Sequence, residues 1–66
     1  MSIAKVIEVI AEGDSLQGAI EACVTEAAKS VHAIKGVYIE NIQAVVDGTK
    51  ITSYRVNAKV TFVVDG

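Results

Sequence analysis

The sequence has no proline, one cysteine and one histidine in 66 residues. A lone Cys23 excludes a disulfide within the chain, and one cysteine with one histidine excludes an intramolecular Cys and His metal cluster. No proline-rich linker, low-complexity run or internal repeat interrupts the chain, which reads as a single domain over 1–66. There is no 18-residue apolar run, and Lys5 and Glu8 break the N-terminal stretch where a signal peptide would need an unbroken apolar segment. A soluble, cytoplasmic protein without a membrane partner is expected. Six basic against eight acidic residues give a net charge of −2, without the basic excess that binding to nucleic acid requires.

Catalytic signatures are missing as well. The sequence holds no glycine-rich phosphate loop, nucleophile elbow or His-Glu-x-x-His pattern, so a binding protein rather than an enzyme is expected. Neither catalytic nor metal-ligating residues are assigned. His32 is read as an exposed side chain, and Cys23, on an apolar helix stripe, as core.

Apolar residues, by contrast, are abundant. They make up 52% of the chain before its five glycines are counted, against roughly 45–50% with glycine in ordinary globular proteins. A domain this short buries only about 60% of the surface its unfolded chain exposes. With disulfides and metal excluded, subunit contacts are the remaining source of stability.

The β-branched run Ile3–Ala11, bounded by Gly13, predicts a first strand. Asp14 and Ser15 are N-cap residues, and Asp14 with Gln17 resembles a capping box. Leu16, Ile20, Cys23, Ala27, Val31 and Ile34 follow at helical spacing, predicting a helix that runs on to Gly36, which would close it in the left-handed conformation. Lys29, His32 and Lys35 would then complement the negative end of its dipole. Val37–Val46 and Ile51–Val64 predict two more strands, joined by the hairpin signal Asp47-Gly48-Thr49-Lys50. The order is β-α-β-β.

In the last strand Tyr54, Val56, Ala58, Val60, Phe62 and Val64 alternate with more polar residues, so one face should meet the helix. Pairing Asp47 with Lys50 would set Ile42 opposite Arg55, Glu40 opposite Asn57 and Tyr38 opposite Lys59 on the other face. An aromatic, a guanidinium, a carboxylate and an amide then share one surface, the best candidate for ligand binding. Arg55 has a second reading as an ion-pair partner of its diagonal neighbour Glu40, and Tyr38 as a subunit contact. Asp47 would bind a cation only with oxygen donors from Asp65, Glu40 or another subunit.

Ala4-Lys5-Val6-Ile7-Glu8, the Ser15-Leu16 helix start, Ile34-Lys35-Gly36, Tyr54-Arg55-Val56-Asn57 and Val60-Thr61-Phe62-Val63 together resemble the dodecin family, collinearly and over nearly the whole chain. The resemblance implies an α+β fold, a three-stranded antiparallel sheet wrapped around one helix, and a hollow homododecamer. It also implies non-catalytic storage of a flavin, riboflavin or FMN. Flavin-binding members stack flavin pairs between symmetry-related tryptophans and hold the ring with a glutamine. Gly36 and Arg55 stand at those two positions here. A bacterial group shares Gly36, an aromatic two residues on, and Tyr54-Arg55-Val56-Asn57. Tyr38, on the same strand face as Gly36, would then supply the stacking surface, with Arg55 as a polar contact and Gly36, Glu40 and Asn57 completing the site. The alternative is a dodecameric container that has lost flavin and holds another anionic ligand, such as coenzyme A, or a cation at subunit junctions.

Overall fold

The computed structural model describes residues 2–65, and their side chains from 3 to 64. Strand β1 (Ser2–Gly13) leads into helix α1 (Leu16–Ala28), followed by β2 (Ile34–Asp47) and β3 (Lys50–Asp65). The three strands form one antiparallel sheet in the order β1-β3-β2, with β3 in the centre. The expected α+β architecture, β-α-β-β with a three-stranded antiparallel sheet and one helix, is the one observed.

Ser15 starts the helix. Its backbone is extended at φ −133° and ψ 161°, and its Oγ accepts a hydrogen bond from the Gly18 amide at 3.0 Å, satisfying one orphan donor of the first turn. The capping box expected from Asp14 and Gln17 is replaced by this single cap, and Gln17 instead donates to Glu21 one turn on, at 3.5 Å.

The helix ends about two turns earlier than its apolar spacing predicts. Ser30 and Val31 both donate to the carbonyl of Ala27, and the chain then turns through Ala33, whose φ of 56° is left-handed. Ala33, not Gly36, makes the reversal, and its carbonyl accepts from the Val63 amide at 3.2 Å, tying the loop to β3. Ile34 pairs with Phe62 in the sheet. Val31 and Ile34 fit a helical period, but as β-branched residues they fit a strand entry equally well, and pairing with β3 decides between the two. His32 and Lys35 therefore lie beyond the helix and do not serve its dipole.

The helix meets the sheet through small side chains. Ala19, Cys23 and Ala27 are buried, against Val56, Ala58, Val60 and Phe62 of β3, with Val9, Ala11, Val37 and Ile39 around them. The apolar alternation expected in β3 is this inner face. Close approach is enforced at Gly13, where a Cβ would come within 2.7 Å of the Ala19 amide nitrogen.

Asp47 pairs with Lys50 as expected, and Gly48 takes a φ of 66°, the sign a type II′ turn requires at its first loop position. The register then slips at Thr52, an extra residue on β3, and slips back at Glu40, an extra residue on β2. Thr52 Oγ1 donates to the Val45 carbonyl at 3.2 Å. Between the two bulges the pairing is displaced by one residue from the simple expectation. Beyond them it returns as far as Gly36, and a third irregularity at Lys35 then sets Ile34 against Phe62.

The sheet is far longer than the helix. The 16 residues of β3 extend about 53 Å, whereas the 13 of α1 cover about 20 Å. The chain accordingly measures 52 × 18 × 13 Å. Ile42, Val46 and Ile51 at the hairpin end, and Ile3 at the other, stay more than half exposed.

Candidate functional site

The outer face of the sheet, away from α1, is built in cross-strand rows. Because side chains alternate along each strand, residues Arg55, Asn57, Lys59 and Thr61 of β3 all point there. Their partners on β1 are Glu12, Ile10, Glu8 and Val6. Their partners on β2 are Gln43, Asn41, Tyr38 and Gly36.

Tyr38 stands opposite Lys59 as expected, and the residue is 67% exposed. Gly36, two residues away on the same face, has nothing within 4 Å of where a Cβ would lie, so the surface beside the tyrosine ring is open. The two other expected pairings differ. Asn41 rather than Glu40 faces Asn57, and Gln43 rather than Ile42 faces Arg55, while Ile42 pairs with Val56 on the helix side. The Thr52 bulge is the cause, since one extra residue exchanges the faces of the residues that follow.

Arg55 does not pair with Glu40. Its Nη2 lies 3.2 Å from Oε2 of Glu12, whose other oxygen accepts from Ser53 Oγ at 3.5 Å. Glu40 reaches Lys59 instead, at 3.4 Å. All four charged side chains are between about a third and a half exposed, so each pair is worth at most about 1 kcal/mol. Between these pairs Asn57 buries its Oδ1 without a hydrogen-bond partner. An acceptor shielded from water and left unpaired costs about 1–3 kcal/mol, which a donor from a ligand or a second subunit would recover.

Glu12, Ile10, Asn41 and Gln43 are members of this surface that sequence reasoning missed. A signal for Glu12 and Ile10 was present in the alternation of β1, but using it required knowing that β1 lies beside β3. Cys23 is fully buried, with Sγ 3.9 Å from the Val56 carbonyl, and burial pushes its pKa above 9.0 against a smaller opposing effect of the backbone at Ala11. It belongs to the core. Among the described residues there is no enclosed cavity and no group of three or more potential metal ligands. No described helix is long and apolar enough to cross a membrane. The side chain of Asp65, considered with Asp47 as a cation ligand, lies outside the described residues.

A family model described as Dodecin matches residues 3–65. The chain belongs to the dodecin family. Dodecin structures share its fold over the full length. An arginine-to-alanine mutant of the Thermus thermophilus dodecin superposes with a TM-score of 0.90 at 19% identity, covering 100% of both chains. The dodecin from Streptomyces davaonensis gives 0.88 at 17% identity, covering 98% of this chain and 97% of its own. Among curated proteins no match was found.

Proposed function

We propose that this dodecin is a non-catalytic flavin-binding protein that assembles as a homododecamer and sequesters riboflavin or FMN between subunits. The observation that carries the reading is exposed Tyr38 beside the open surface at Gly36, with the unpaired Asn57 oxygen in the row next to the tyrosine. A flat aromatic ligand gains most where a protein ring offers a free face and a nearby polar group fixes orientation. If the Asn57 amide turns toward the open face, its Oδ1 can accept from the flavin ring NH, a contact that an arginine at position 55 cannot make.

Assembly is supported by shape. The chain exposes 4633 Å², against about 4,000 Å² for a typical folded monomer of its mass. Its radius of gyration of 13.6 Å exceeds the roughly 11 Å of a compact chain of this length. Exposed Ile3, Val6, Ile10, Ile42, Val46 and Ile51 supply apolar surface for neighbouring copies.

Native mass spectrometry before and after adding riboflavin or FMN is the test, followed by flavin fluorescence quenching. Twelve subunits carrying flavin are expected, with Tyr38→Ala abolishing the quench while the assembly persists. A second reading, a container of the same shape that holds coenzyme A or a cation at subunit junctions, is favoured by Gly36, which leaves Tyr38 without a larger ring beside it. Twelve subunits that bind no flavin would put that reading first, and a stable monomer would defeat both.

A further inference from the structure

We propose that Glu12 sets the ligand charge this surface accepts: by neutralising Arg55 it removes the anion preference an arginine would confer, so uncharged riboflavin binds at least as well as its phosphorylated form. This rests on the flavin reading above.

The outer-face rows from Arg55 to Lys59 hold two cations and three carboxylates. Arg55 is paired with Glu12 at 3.2 Å, Lys59 with Glu40 at 3.4 Å, and Glu8 also faces Lys59 across the β1–β3 ladder. These rows therefore carry a net negative charge, on a chain that is itself net negative. A phosphate dianion brought here must displace a carboxylate from its cation and then remain beside it. Riboflavin, with hydroxyls in place of phosphate, incurs neither cost.

Within this arrangement Glu12 has the largest influence. Lys59 has two carboxylates beside it, so losing one leaves it compensated, whereas Glu12 is the sole carboxylate bonded to Arg55 among the described residues. Its position is favoured from two sides. The strand register places it directly opposite Arg55, and Ser53 Oγ donates to its second oxygen. Arg55, with five donors and a permanent charge, would otherwise be the strongest phosphate ligand on the face. Glu12 is thus a positioning residue, acting on the ligand through the guanidinium it holds.

The experiment measures dissociation constants for riboflavin and FMN by fluorescence quenching at two salt concentrations. It compares the wild type with Glu12→Gln, Glu12→Asp, Arg55→Gln and the Glu12→Gln/Arg55→Gln double variant. Glu12→Gln should shift the riboflavin-to-FMN preference about five- to tenfold toward FMN, as expected for one uncompensated positive charge near a phosphate, and the shift should shrink at high salt. Arg55→Gln should move the preference the opposite way. Glu12→Asp, which keeps the charge, and the double variant, which keeps the balance, should stay near the wild-type ratio. Flavin binding with an unmoved ratio in both Glu12→Gln and Arg55→Gln would overturn the inference alone. Failure of the wild type to bind either flavin would overturn the flavin reading, and this inference with it.

Discussion

At the scale of single residues, three positions carry physical costs or constraints that mutation should expose. Gly13 touches the helix backbone, so Gly13→Ala should lower stability by about 1–3 kcal/mol in denaturant unfolding, because neither backbone can yield without moving α1 off the sheet. Ala33 holds a left-handed φ that disfavours any Cβ by roughly 1–2 kcal/mol. Glycine removes that strain but adds unfolded-state entropy, so Ala33→Gly should raise stability by no more than about 1 kcal/mol. Cys23 binds its proton more tightly folded than unfolded, since burial raises its pKa above 9.0. The stability this represents is complete below the unfolded pKa and is lost as pH rises through the folded one. Unfolding free energies should therefore fall more steeply above pH 9.0 in the wild type than in Cys23→Ala, a difference in which the other titrating groups largely cancel. The role of Cys23 was legible in the sequence from its helical spacing. The strain at Ala33 was not, because alanine carries no local signature of a positive φ and the nearby Gly36 offered an easier closure that the chain does not use.

Among the elements, the cap at Ser15 gives a direct test of how much α1 depends on its own start. Ser15→Ala should cost about 1 kcal/mol, within a range of about 0.5–2, read as a shift in denaturant midpoint at constant slope. Period-two alternation in β3 and the Asp47-Gly48 turn made the hairpin and the inner face readable. Helical period misassigned residues 29–35, since Val31 and Ile34 satisfy two patterns and only pairing with Phe62 resolves them. Half the outer face was readable for a similar reason. Tyr38 and Lys59 lie beyond both bulges and keep the simple register, whereas Arg55 lies between them and finds different partners. The Arg55–Glu12 contact also required the strand order, which alternation within a strand does not contain.

For the molecule as a whole, the mismatch between a long sheet and a short helix governs behaviour. With so much apolar surface left outside the core, folding and association should be linked by mass action, and thermal stability should rise with protein concentration wherever subunits exchange on the timescale of the measurement. A concentration-independent monomer would contradict that expectation. The paired bulges have a different consequence. Thr52 adds one residue to β3 and Glu40 adds one to β2, so the two offsets cancel before the row of Tyr38 and Lys59 is reached. Removing both extra residues together would keep every pair from Val46 and Ile51 to Tyr38 and Lys59, because each strand loses one unpaired residue. Deleting either one alone would leave the other offset uncancelled, and because β1 holds β3 from Tyr54 to Asp65, the mismatch would fall on β2 and the hairpin tip. The row that carries the tyrosine is thus insulated from the offset at the tip only while both extra residues are present.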